Sequence, residues 1–254
     1  MHNFYTTIGP LTLQTYTLLL ALGISAGAAL GAYRLRIQPG RVADVYLLAL
    51  AGGIAGARVG HVALNWAHFA SAPAEILRLN SGGLDWHGAV LGALVGLALG
   101  ARWRGFSVVT LLDSLVLALP LIALAGWLGC WAAGCAYGAE VDTLANHSPL
   151  VVSFMPDVYG IPAPRYHTQI FGATAALVLV LLAGLMVWRG WLVDGRFWLL
   201  LTLLSLLMFI IGFFRADYAV MMGGLRADQW LDLALLAVAL SGAWGLRRAE
   251  RASQ

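Results

Sequence analysis

The run Val42–Trp66, "VADVYLLALAGGIAGARVGHVALNW", decides the fold. Its only formal charges are Asp44 and Arg58. About 20 consecutive apolar residues suffice to cross the hydrocarbon core of a bilayer as a helix. Inside lipid no water satisfies backbone N–H and C=O groups, so such a run must bond within itself and be helical. Glycine and alanine crowd its middle, and small residues let two helix backbones approach closely where apolar burial cannot drive association.

Comparable runs recur along the whole chain. The 254 residues are 61% hydrophobic and 11% charged, against about 25% charged in a soluble domain. Seven spans are expected: 11–33, 42–66, 84–101, 107–133, 168–188, 197–214 and 230–246. The expected fold is therefore an all-α integral membrane protein with seven transmembrane helices in a single polytopic domain, 1–254. The first span follows an N-terminus without a basic segment and reads as a retained helix, not a cleaved signal. The net charge of +3 is too small to point to nucleic acid, and membrane orientation explains it better. Arg34, Arg36, Arg41, Arg102, Arg104, Arg189, Arg196, Arg247, Arg248 and Arg251 fall on one side of the expected topology. Arg78, Arg165, Arg215 and Arg226 fall on the other. The arginine-rich side is cytoplasmic, which puts the N-terminus and the loop 137–167 outside and the C-terminus inside.

Polar groups in lipid are costly, about 2.5–3.5 kcal/mol for a central charge on insertion scales, so each is a functional hypothesis. Arg58 and His61 share one helix face, Asp85 and His87 open the third span, and Arg215 and Asp217 follow the sixth. Arg58, His61, His87 and Arg215 read as a polar pocket near the outer leaflet: arginine forks a lipid phosphate, and histidine serves as base or donor. The alternative is that they reach toward headgroups or pair with Asp85 and Asp217 and only hold the bundle together. Asp113 and Pro120 read as shaping a kink.

The stretch Gly126–Cys135, "GWLGCWAAGC", holds the chain's two cysteines. On a continuous helix Cys130 and Cys135 point about 140° apart and lie too far apart for a disulfide. Buried apolar cysteine is the favoured reading. A disulfide requires the helix to end near Ala133. A metal site lacks the usual ligand spacing, and neither metal nor cofactor is expected.

The order of motifs resembles the prolipoprotein diacylglyceryl transferase family, seven-span bacterial inner-membrane enzymes that move diacylglyceryl from phosphatidylglycerol to a prolipoprotein cysteine. "GGIAGARVGHVALNW" resembles its glycine-rich second span, with Arg58 at the family arginine. "WHGAVLG" resembles its His-Gly-Gly segment, with His87 at the histidine. "DSLVLALPLIALAGWLGCWAAGCAYG" resembles its Asp…Ala-Pro…Gly-Arg-Ile-Gly-Asn-Phe signature. "PRYHTQIF" matches at Gln169, "GFFRADY" at Arg215 and "GLRADQWLDL" at Gln229. The resemblance implies His87 as the candidate catalytic residue and Arg58, Arg215 and Gln169 as lipid-phosphate ligands. It implies an anionic phospholipid, phosphatidylglycerol in the family, as partner.

The departures are as specific. Family arginines fall on Trp127 and Met208, asparagines on Cys130 and Ala133, and glutamates on Cys135, Gly172 and Gly212. The loop histidine falls on Tyr166, with His167 in place of a proline. Losing one charge donor at a reacting oxyanion costs about 10²–10³ in rate. The favoured expectation is therefore a non-catalytic lipid-binding or structural subunit of a larger membrane complex, partnered by other membrane chains. The alternative is an active transferase using His87. A transporter finds less support, because the charges do not line several spans and no inverted repeat is evident.

Overall fold

The computed structural model describes residues 5–8, 11–35, 39–79, 82–157 and 159–252. It is mostly helical. The long helices are α1 (Thr15–Leu35), α2 (Pro39–Leu64), α4 (Trp86–Arg104), α6 (Ala118–Ala133), α7 (Thr168–Arg189), α8 (Arg196–Gly212) and α9 (Ala227–Ala252). Two short helices, α3 (Trp66–Ser71) and α5 (Val108–Ser114), and a 3-10 turn over Pro73–Leu77 complete the helical set among the described residues.

A long helix occupies most of each expected run. Four of them, α1, α2, α7 and α9, are long and apolar enough to cross a membrane, and α5 with α6 makes a fifth if that broken pair counts as one span. Three details differ from expectation. The fold is not purely helical: antiparallel hairpins pair β1 (Tyr5–Ile8) with β2 (Leu11–Gln14), β3 (Val152–Pro156) with β4 (Pro162–Tyr166), and β5 (Met221–Met222) with β6 (Leu225–Arg226). Leu11–Gln14 is thus a strand, and the first helix starts four residues later than its apolar run. The fourth run breaks between Ser114 and Ala118. Pro120 lies in the first turn of α6, where a missing N–H costs nothing. Arg36, one of the orientation arginines, lies outside the described residues.

The chain divides into two compact units, 31–114 and 1–30 with 115–254. In the first, α2 and α4 pack backbone to backbone. A methyl on Gly52 would strike the Gly92 carbonyl, and one on Gly92 would strike the Gly52 carbonyl, so only glycine permits this crossing. Asp85 caps α4 by accepting from Gly88 N at 2.8 Å. Arg34 pairs with Asp113 at 2.9 Å, and Arg104 pairs with Asp44. In the second unit α7 packs on α6 and on α8, and α8 on α9.

Candidate functional site

The smaller unit gathers Arg58, His61, Asp85 and His87. Arg58 sits two turns before the end of α2 and is 7% exposed. Its guanidinium donates to four backbone carbonyls: Nε to Ile76 at 2.8 Å, Nη1 to Gly82 at 2.8 Å and to Gly83 at 3.0 Å, and Nη2 to Glu75 at 2.5 Å. One buried side chain thereby ties the connection between α3 and α4 to α2. The Phe69 ring stacks under it, 5.2 Å from Cζ. His61 touches Phe69 edge-on at 5.7 Å, and Asn65 donates to the His61 carbonyl at 2.9 Å. His68 bonds Glu75 at 2.9 Å. Around these groups lies a cavity of about 350 Å³, lined by Arg58, His61, Asn65, His68, Phe69 and Glu75 with Gly82 and Gly83.

His87, 1% exposed, stands in the first turn of α4 with Nδ1 2.9 Å from Asp85 Oδ2. A carboxylate on one ring nitrogen orients the imidazole and favours the tautomer that leaves Nε2 as the acceptor. That is the arrangement a general base needs.

The larger unit holds the remaining candidates. The α6 helix ends at Ala133. Gly134 takes φ 71° and turns the chain back, so Cys135 N reaches the Cys130 carbonyl at 3.0 Å. This brings the Cys130 and Cys135 Cα atoms to 4.7 Å, and the two form a disulfide. The favoured reading of buried free thiols is corrected here. It assumed the helix continued, and the left-handed glycine cap removes that assumption. Closing so short a loop stabilises by about 2 kcal/mol on the chain-entropy relation. The Cys130→Ser/Cys135→Ser protein is therefore expected to unfold a few degrees below the parent, and reductant is expected to lower the parent alone. Equal midpoints in thermal melts with and without reductant would contradict this.

Gln169, 2% exposed, donates from Nε2 to the Cys135 carbonyl at 2.9 Å. Its neighbour Thr168 donates to the Ala136 carbonyl at 2.5 Å. Both hold the turn after the disulfide against the start of α7. Trp127 is buried among Ala136, Ala176 and Ile211, with Phe171, Cys130 and Met208 packed around them. Its indole lies directly on Gly172, where an added methyl would collide with the ring. Gly212 is likewise covered by the Gln229 side chain, which donates to the Phe209 carbonyl at 3.0 Å and accepts from Arg226 N at 3.0 Å.

Arg215 is committed to carboxylates. It bonds Asp217 through Nε at 2.9 Å and Nη2 at 2.6 Å, and Asp228 through Nη1 at 3.0 Å. Arg226 bridges the same two acids. Burial opposes the Arg215 charge, but the Asp217 and Asp228 carboxylates outweigh it and hold its pKa above the ordinary value. This alternating cluster fastens the segment before α9. The sequence offers the Arg215–Asp217 half as the pairing alternative; Arg226 and Asp228 were missed, although "RADY" and "RADQ" carry the same Arg-x-Asp spacing. In the loop 137–167, Arg165 pairs with Glu140 at 2.6 Å and with Asp157 at 3.3 Å. The His167 ring nitrogens are buried without a partner among the described residues, and burial lowers the pKa of this imidazole. No group of three or more His, Cys, Asp or Glu among the described residues is placed to hold a metal.

Within the smaller unit, then, Arg58, His61, Asp85 and His87 lie at the α2–α4 ends, while Gln169 and Arg215 belong to the larger unit. Comparison with known proteins adds a second line. The family model described as prolipoprotein diacylglyceryl transferase matches residues 3–244. A phosphatidylglycerol–prolipoprotein diacylglyceryl transferase from Paenarthrobacter aurescens is 31% identical over 92% of this chain and 78% of its own length. One from Clostridium novyi is 29% identical over 89% of this chain and 88% of its own. One from Synechococcus elongatus is 41% identical over a shorter stretch, 49% of this chain and 43% of its own.

Proposed function

Since the chain belongs to the prolipoprotein diacylglyceryl transferase family, we propose that it is a bacterial inner-membrane member that binds an anionic phospholipid and does not carry out the transfer. In this reading the N-terminus faces outward and seven spans cross the bilayer. The carrying observation is the contact of the Trp127 indole with Gly172. Where the resemblance expects an arginine at 127 and a glutamate at 172, an aromatic ring lies against a glycine. Met208, at the second expected arginine, joins the same apolar cluster. An indole N–H carries no charge to oppose a phosphate or a developing oxyanion, whereas preorganised charge is the largest single contribution to most such reactions. Arg58 supplies the positive field for the lipid. Gln169 and Arg215 hold the backbone of the larger unit, because their donors are engaged by the Cys135 carbonyl and by Asp217 and Asp228. A chain of this kind serves as a subunit of a membrane assembly.

One observation favours the alternative, an active transferase: the buried Asp85–His87 pair. The relatives named above are themselves transferases by name. The discriminating experiment incubates purified protein with phosphatidylglycerol and a lipobox peptide. The expected result is no transfer above background, in parent and His87→Ala protein alike. Transfer that disappears in His87→Ala would overturn the non-catalytic reading and establish His87 as the base.

A further inference from the structure

We infer that the cavity at the end of α2 is an oxyanion site for a phosphate group, held by His61, Asn65 and His68 in the field of Arg58. The inference rests on the lipid-binding reading and deepens it by naming ligating residues. Neither His61, Asn65 nor His68 is among the lipid-phosphate residues that the family resemblance implies.

Three observations carry it. First, Arg58 is a buried cation paired with no carboxylate among the described residues, the Glu75 carboxylate on the cavity wall being bonded to His68. Its bonds all go to carbonyls. The buried Arg165 and Arg226 both have carboxylate partners. A buried charge held only by neutral groups is costly, and an anion in the adjoining space would relieve it. Second, the cavity beside it is about 350 Å³, within the range of small-ligand sites. Third, donors remain on its wall. His61 Nε2 has no hydrogen-bond partner among the described residues, and the only contact of Nδ1 among them is a 3.4 Å one to Asn65 Nδ2. His68 pairs with Glu75 on a side chain 60% exposed, so it is free to turn.

The donor arrangement selects the anion. A planar carboxylate is best held by an arginine fork with two parallel N–H groups, and four of the five Arg58 N–H groups go to carbonyls here, which leaves no free pair. His61 Nε2, the second Asn65 amide N–H, which makes only the 3.4 Å contact, and His68 are separate donors that suit a tetrahedral anion with several oxygens. The source is either a phospholipid headgroup or free phosphate.

The test uses full-length protein, delipidated in neutral detergent. Its thermal midpoint is followed with short-chain phosphatidylglycerol, with inorganic phosphate, and with short-chain diacylglycerol, which lacks the phosphate. Parent protein is expected to be stabilised in a dose-dependent way by phosphatidylglycerol and not by diacylglycerol. His61→Phe and Asn65→Leu are each expected to weaken that response at least about tenfold, the usual effect of losing a hydrogen bond to a charged group. His68→Gln, at an exposed position whose packing is confined to one edge contact with Phe69, is expected to weaken it several-fold and guards against misfolding in the other two. Stabilisation by inorganic phosphate at similar concentration would identify free phosphate as the ligand. Its absence alongside a phosphatidylglycerol response would identify the headgroup. Phosphatidylglycerol binding unchanged in all three variants would overturn this site while leaving lipid binding elsewhere intact, and no response in the parent to any phosphate-bearing probe would overturn it outright. Transfer activity in the earlier assay would remove the non-catalytic reading without touching these outcomes.

Discussion

Trp127→Arg protein is expected to be about 3–5 kcal/mol less stable than the parent, the usual cost of a buried charge with no partner. Trp127 is 8% exposed and surrounded by Ala136, Ala176 and Ile211, and no carboxylate is in that cluster. Gly172→Glu is expected to destabilise as well, because a Cβ at this position strikes the indole and overpacking costs about 1–3 kcal/mol. Together the two substitutions remove the ring that blocks a side chain at position 172 and give the new guanidinium a carboxylate. The double variant is therefore expected to recover at least about 2 kcal/mol relative to the sum of the single effects. Unfolding midpoints of the four proteins measure this coupling. Simple additivity would show that Trp127 and Gly172 do not form a matched pair.

Arg58→Met is expected to be the most damaging substitution in the smaller unit. It preserves much of the side-chain volume but leaves the carbonyls of Glu75, Ile76, Gly82 and Gly83 without their donor. Each buried group left unpaired costs about 1–3 kcal/mol, so a loss of about 4 kcal/mol is expected even if some carbonyls find water. Arg58→Lys keeps the charge with fewer donors in a less rigid arrangement and is expected to fall between. Limited proteolysis gives the local readout: cleavage between residues 72 and 85 should accelerate strongly in Arg58→Met and moderately in Arg58→Lys. Unchanged cleavage in that segment would mean that Arg58 does not tether it.

The helical content and the places of the long helices were legible in the chain, because apolar runs of this length have few alternatives once backbone bonding must be internal. Hairpins were not. Met221–Met222 and Leu225–Arg226 pair over four residues, too few for a period-2 pattern to stand out. The break before Ala118 was legible only as the kink expected at Asp113 and Pro120, where the two helices bend by 46°; the loss of helix over Leu115–Val116–Leu117 was not, because that apolar sequence reads as continuous helix. Among the site residues, Arg58, His61, Asp85 and His87 were visible as polar groups within apolar runs. Their partners were not: Arg58 bonds to backbone carbonyls, and a carbonyl leaves no mark on the residue type that carries it.

Composition and pattern were enough for a helical chain with several helices long and apolar enough to cross a membrane, and the order of motifs for its family, since both depend on residue identity along the line. What those residues touch depended on the fold. The Cys130–Cys135 disulfide exists because Gly134 reverses the chain at the end of α6. Trp127 faces Gly172 across two helices 45 positions apart. Arg215 is engaged by Asp217 and Asp228, whereas Arg58, beside an open cavity, bonds backbone carbonyls and pairs with no carboxylate among the described residues. Two arginines of the same kind, both flagged by the same rule of costly charge in lipid, end in opposite electrostatic situations, because the nearest countercharge is set by packing in three dimensions and not by position along the chain.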